Sequence, residues 1–220
     1  MEQVNDILNK KVLSIDGVIV KVREAEYYFD PDPYIHGDDE QLKNGTWYLH
    51  RTSTGKFRSG TYKGIDYTCG NGTQHGGILI RGIETDDEII EGPCNVVDYI
   101  MEIFACDDVE ELDSVINTDN LKFVDCAERK DPIYYGPRGG LGFRYPRWFG
   151  KPFRACTYIP KKYRVQFVLG LYYHHKMDII SIKELCGKRC PVKKYISMVQ
   201  DGDSTKSNQQ VCETYYRFLN

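Results

Sequence analysis

Residues 11–28 read KVLSIDGVIVKVREAEYY. Residues 11–15 and 18–24 alternate apolar and polar side chains in the manner of strands. Asp16-Gly17 between them is a dipeptide that favours a tight hairpin turn. The pattern places a β-hairpin near the start of the chain and carries two acids, Glu24 and Glu26, on its second strand. On a strand these share one face, while Ala25 and Tyr27 share the other. An isolated EAE most often marks surface acids on an edge strand. It acquires a chemical reading only from its surroundings.

Outward from the hairpin, residues 2–8 suit a short helix, and Asp30-Pro31-Asp32-Pro33 marks a loop. Residues 46–51 and 61–68 read as a second hairpin with a long polar tip, 52–60. Residues 77–82, GILIRG, form a short apolar strand. Gly92-Pro93 opens a helix, since proline there gives up an N–H that has no intrahelical partner. Val96, Val97, Ile100, Met101 and Phe104 recur at helical spacing and should face a core. Residues 108–116 suit an acidic helix. YRVQFVLGLYY, residues 163–173, alternates like a strand. Ser181 with Glu184 forms a capping-box pattern before a short helix. Residues 201–210 are polar and read as a loop. The expected class is mixed α/β (α+β): one domain with a curved, mainly antiparallel sheet, a protruding β-hairpin and flanking helices.

The chain has 220 residues, 41% apolar and 28% charged, with a net charge of −3. These values suit a folded soluble domain and exclude wholesale disorder. No apolar run approaches the ~18 residues of a membrane span. MEQVNDILNKK lacks the apolar segment of a signal peptide. Eight cysteines then suggest reduced thiols in an intracellular protein, nuclear in a eukaryote and otherwise cytoplasmic. Cys186 and Cys190, spaced CGKRC, do not match zinc-ribbon spacing, so no metal or other cofactor is expected. The net charge hides an asymmetry. Residues 84–128 hold fifteen acids and one lysine, whereas residues 132–177 hold nine Lys or Arg and no acid. The basic stretch interleaves Arg and Lys with Gly and aromatics, a composition suited to an anionic partner and equally to a plain solvated face.

Several segments together resemble the alkyladenine (3-methyladenine, or methylpurine) DNA glycosylase family. VREAEYY resembles that family's V-E-T-E-A-Y, and His36 follows Glu26 by ten residues, near the family's pocket histidine. NGTWYLH, 44–50, is similar to P-G-T-x-Y-V-Y. GGILIRGIE, from 76, is similar to A-V-L-I-R-A-L-E. GPCNVVDYI, from 92, is similar to a G-P-x-K-L helix start. PRGGLGF and RWFGKPFR, from 137 and 147, resemble P-R-x-G-I and W-x-x-K-P-x-R-F. The likeness spans residues 8–158 in family order and divides the chain into a glycosylase-like part, 1–160, and a C-terminal extension, 161–220, with no counterpart.

The resemblance implies an enzyme that flips a damaged purine out of double-stranded DNA and hydrolyses its N-glycosidic bond with water, in base excision repair. It places Glu26 as the catalytic base, with Glu24 as the alternative one register away, and Arg81 as a holder of the water. A carboxylate both accepts a proton and stabilises a sugar cation. Tyr28, His36, Tyr48 and His50 would form the base pocket, where stacking is worth ~1–3 kcal/mol per base. Gly139, Gly140 and Leu141 would bring backbone near the water. Phe57 or Tyr62 would wedge the duplex, with Lys56, Arg58 and Lys63 on phosphates. Arg138, Arg144, Arg147, Lys151 and Arg154 would bind DNA. The hairpin tip is longer than the family's, and Thr68, Gly70 and Asn71 compete for the family's pocket asparagine. A monomer is implied, with no membrane association. Two other readings stay open: a non-catalytic nucleic-acid binder on the same fold, and an N-glycosidic hydrolase acting on RNA or nucleosides.

Overall fold

The computed structural model describes residues 1–200 and 209–220, so most of the expected 201–210 loop lies outside the described residues. The fold is mixed α/β with an antiparallel sheet. The chain divides into two compact units, Met1–Asp131 and Pro132–Asn220. The division expected at residue 160 from the family likeness falls inside the second unit.

In the first unit, α1 (Glu2–Asn9) buries Val4, Ile7 and Leu8 and leads into β1 (Lys11–Ile15) and β2 (Val18–Phe29). Asp16 (φ 45°) and Gly17 (φ 88°) both adopt the left-handed region, as a two-residue hairpin turn of matching twist requires. Next come β3 (Asn44–Leu49), β4 (Ile65–Cys69), β5 (Gly76–Glu84) and β6 (Ile89–Glu91). They are followed by α2 (Pro93–Phe104), α3 (Val109–Val115) and β7 (Leu121–Asp125). Strand order is β3-β4-β5-β2-β1-β7, with β6 on β5, and neighbouring strands run antiparallel. The second hairpin is shorter than its sequence suggests. Residues 60–62 form a 3-10 turn, and β4 begins at Ile65.

Strand β5 is central, so eight of its nine residues are buried, Gly76 to Ile83. Against it packs α2, opened by Gly92 and Pro93 as expected, with Val96, Val97 and Ile100 buried. Met101 and Phe104 are only half-buried. The Asp108 carboxylate caps α3 by accepting the Glu111 N–H at 2.8 Å.

The second unit contains β8 (Tyr134–Gly136), α4 (Pro146–Phe149), β9 (Arg154–Cys156), α5 (Arg164–Tyr173), α6 (Ile179–Cys186), α7 (Val192–Gln200) and α8 (Gln209–Leu219). The alternation in residues 163–173 is a helix, α5, and not the expected strand. Seven consecutive residues, Val165 to Leu171, are buried. A helix buried all round needs no amphipathic period, and a short apolar run reads the same for helix and strand. The capping box is likewise corrected: Asp178, not Ser181, caps α6, accepting the N–H groups of Ile180 and Ser181 at 2.8 and 3.1 Å.

Helix α5 approaches β8 closely at Gly170, where a Cβ would stand 2.5 Å from the Tyr135 carbonyl oxygen and 2.7 Å from Gly136 Cα. Both are backbone atoms and cannot rotate away. Gly170→Ala is therefore expected to destabilise the protein by about 1–3 kcal/mol despite its better helix propensity. That corresponds to a fall of several degrees in melting temperature by calorimetry. An unchanged or raised melting temperature would contradict this packing.

Candidate functional site

Two polar clusters occupy one face of the first unit's sheet. In β2 and β5, Glu24, Glu26 and Arg81 are all buried, Glu26 completely. The Arg81 guanidinium spans both acids: Nε donates to Glu24 Oε1 at 2.9 Å and Nη1 to Glu26 Oε2 at 3.3 Å. The Tyr28 hydroxyl donates to the same Glu26 oxygen at 2.8 Å. Burying carboxylates is costly unless they are paired and hydrogen-bonded, and these partners meet that condition. The shared face predicted for Glu24 and Glu26 holds, and both contact the same arginine. Irregular pairing between Val22 and Ala25 accompanies this part of β2; bulges of this kind re-aim side chains.

The second cluster joins the segment after β2 to β3 and β4. The Asp66 carboxylate receives the His50 ring at 2.8 Å (Nε2 to Oδ1) and the Gln41 amide at 2.9 Å (Nε2 to Oδ2). Gln41 Oε1 in turn accepts the Gly37 N–H at 3.0 Å. Tyr48 accepts the Arg51 N–H at 3.3 Å, which leaves its own proton for His36 Nδ1, 3.1 Å away. The His36 and His50 rings lie 4.2 Å apart, edge to face. Burial raises the Tyr48 hydroxyl to about 12, so it stays protonated. His36 falls to about 4, chiefly through burial, then through His50, with Arg58 adding and Asp66 and Asp38 opposing.

Register relates the clusters. Tyr48 pairs with Asp66, Asp66 with Leu79, and Leu79 with Glu26. Cross-strand partners share a face, so these four residues form one transverse row. Asp66 and Glu26 stand two strands apart, roughly 10 Å. Gly77, in the next row, makes space: a Cβ there would lie 2.6 Å from Asp66 Oδ2 and 2.9 Å from Gln41 Nε2. The predicted residues thus fall into two adjacent groups, Tyr28 with Glu26 and Arg81, and His36 with Tyr48 and His50. Asp66 and Gln41 were missed. Asp66 gave a faint signal, a lone acid between Ile65 and Tyr67 in β4. Gln41 gave none.

The remaining expected residues are placed as follows. Phe57 lies beneath the Arg51 guanidinium, 4.7 Å from its carbon, and Arg51 is tied to Asp113 on α3. Tyr62 is 72% exposed. Lys63 is engaged by Asp98, and Arg58 donates to the Arg51 carbonyl. Thr68 is buried against Thr46, Gly70 abuts the Gln41 and Leu42 backbone, and Asn71 caps its own turn. In the second unit, Arg138 and Arg154 are buried, with their guanidinium groups near the Phe153 and Tyr163 rings. Gly139 faces the Tyr163 ring, and Gly140 (φ 76°) adopts the left-handed region. Lys151 lies 3.9 Å over the Trp148 ring, and Arg144 and Arg147 are exposed. Among the described residues, no helix is long and apolar enough to cross a membrane. The eight cysteines are free thiols.

No family model matches the chain. A viral protein, "Uncharacterized protein L759" of Acanthamoeba polyphaga mimivirus, is 34% identical to it, over 69% of this chain and 82% of that protein. The chain belongs to the family of that protein. The relative's name states no activity, so the chemistry rests on the side chains described above.

His36 carries a pH dependence of defined sign. Its folded value lies below the ordinary 6.5, so the unfolded chain takes up a proton first. Its contribution is complete above pH 6.5 and is lost as pH falls from there toward about 4. The slope from one such group is at most about 1.4 kcal/mol per pH unit. Denaturant titrations from neutral to pH 4 should show His36→Gln losing less stability on acidification than wild type; parallel curves would contradict a buried neutral His36. At Asp66, Asn should cost about 1–3 kcal/mol, because His50 and Gln41 lose a shared acceptor. Urea midpoints check this.

Proposed function

We propose that the chain, as a member of that family, is a monofunctional DNA glycosylase that releases a damaged, alkylated or deaminated purine by hydrolysis. One observation carries the reading. A completely buried glutamate, Glu26, accepts hydrogen bonds from both Arg81 and Tyr28 on the same sheet face as an aromatic and histidine cluster. Glu26 would deprotonate and orient the attacking water. As the base departs, the deoxyribose gains positive charge, which the same carboxylate stabilises. Arg81 stays charged and fixes the carboxylate, its fork reaching both acids at once. Glu24 then acts through Arg81, as a positioning residue.

His36, kept neutral by burial, and Tyr48 offer a ring face and a hydrogen-bonding pair for an extruded base, which costs a few kcal/mol to unstack. Exposed Tyr62 is the better-placed wedge, since Phe57 is held under Arg51. Arg144, Arg147 and Lys151 would contact phosphates. Eight free thiols fit an intracellular setting, nuclear or cytoplasmic. The complete burial of Glu26 also favours a second reading, in which the Arg81 cluster is purely structural and the protein binds nucleic acid without cleaving it.

A base-release panel separates these readings. It should contain duplexes with hypoxanthine, ethenoadenine, 3-methyladenine and damaged pyrimidines, beside single-stranded RNA and free nucleosides. Wild type should release base from at least one damaged duplex, and Glu26→Gln should lose about 10²–10⁴-fold in rate. Equal release by wild type and Glu26→Gln across the panel would sink the enzymatic reading. Release from RNA or nucleosides alone would reassign the substrate.

A further inference from the structure

The C-terminal residues have no counterpart in the glycosylase-like motifs, yet one of them enters a basic groove of the second unit. This groove, about 430 Å³, is lined by Arg144, Tyr145, Pro146, Arg147, Trp148 and Arg217. The first five come from α4 and the residues just before it, and Arg217 from the last turn of α8. All three arginines are exposed. Among the described residues none of the three is in an ion pair, whereas Arg51, Lys63 and Arg81 of the first unit each hold an acid. Among the described residues no acid lines the groove, and residues 132–177 contain none.

The position of Arg217 is built. Tyr215, two residues earlier on α8, is fully buried, with its hydroxyl 2.8 Å from His174 Nε2 at the end of α5. The same nitrogen lies 3.1 Å from the Gly150 carbonyl oxygen, directly after α4. Phe218, the next residue after Arg217, seats its ring where a Gly150 side chain would be. Arg217 is therefore bracketed by two anchors that fix α8 to α4. The aromatic walls carry cations already: the Arg144 guanidinium lies over Tyr145 at 5.4 Å and the Lys151 ammonium over Trp148 at 3.9 Å. Guanidinium groups held on rigid rings lose less side-chain freedom when they bind an anion.

We infer that α8 completes a phosphate-binding groove for a nucleic-acid backbone, with Arg217 as its third guanidinium. Three forked donors in a concave groove suit successive phosphates, which guanidinium groups grip through paired hydrogen bonds. A continuous DNA strand supplies such phosphates, and this choice of partner rests on the glycosylase reading. The C-terminal extension then has a task that the family-like part lacks: it adds backbone grip without reading bases.

The test is fluorescence anisotropy of the full chain with a labelled duplex, from roughly 50 to 200 mM salt. Each phosphate contact contributes about −0.9 to the slope of log affinity on log salt. Arg217→Gln should reduce the magnitude of the slope by about one and weaken binding roughly five- to tenfold at 0.1 M salt. The combined Arg144, Arg147 and Arg217 glutamine variant should reduce that magnitude by about three. Lys193→Gln, the same charge loss on α7 outside the groove, should leave the slope unchanged. An Arg217→Gln slope equal to that of wild type overturns the inference, as does wild type that binds no DNA. Anionic phosphatidylserine vesicles binding as tightly as DNA, with the same Arg217 dependence, would reassign the groove to a membrane surface. Because the readout is binding, failure of base release sinks the glycosylase reading and leaves the groove standing.

Discussion

Arg81 holds two carboxylates out of water, and the first unit is arranged around that constraint. Glu24 and Glu26 both reach Arg81 from β2, whose pairing with β5 is irregular between Val22 and Ala25. Buried without Arg81, they would repel one another and each would carry an unpaid desolvation cost of several kcal/mol. With Arg81 on the neighbouring central strand, both are satisfied, and Tyr28 adds a donor to Glu26. The pairing also constrains register. A one-residue slip of β2 against β5 would send both acids to the apolar side that Ala25 now occupies and leave Arg81 facing neither.

The same face extends the polar row to Asp66 and Tyr48. This extension depends on what is missing at Gly77. A side chain there would occupy the space of the Asp66–Gln41 contact. The two clusters therefore share one face of the sheet, separated by Leu79, while the opposite side carries Ile78, Ile80, Tyr67 and Trp47. A buried polar face of this kind is strongly specified only when every member is satisfied. It concentrates charge, hydrogen-bond donors and ring faces in one place, which is what hydrolysis of a base–sugar bond requires of a protein.

How much of this was legible in the sequence depends on the physical signal each element left. The opening hairpin was readable because Asp16-Gly17 has few alternatives to a left-handed turn. The α2 start was readable because Gly92-Pro93 punctuates it. The shared face of Glu24 and Glu26 followed from strand period alone. Their common arginine could be suspected only from the resemblance. Helix α5 was misread because Val165, Phe167, Leu169 and Leu171 alternate, while burial on all sides erased the helical period. The α6 cap was misplaced because Ser181 and Asp178 are both capping residues three apart. Gln41 left no trace, since a buried amide in a polar segment looks like any surface amide. Arg217 was invisible because only the packing of Tyr215 and Phe218 turns it toward α4.

The central claim is that Glu26 does chemistry beyond its structural pairing with Arg81, while Glu24 supports it. The most direct measurement compares Glu24→Gln and Glu26→Gln in single-turnover base release on the best damaged duplex, alongside each variant's melting temperature. The account predicts comparable losses of stability and a far larger rate loss for Glu26→Gln, by at least about tenfold relative to Glu24→Gln, given the 10²–10⁴-fold scale of a general base. Rate losses that track stability equally in both variants would contradict it, and would leave the buried cluster with a structural role only.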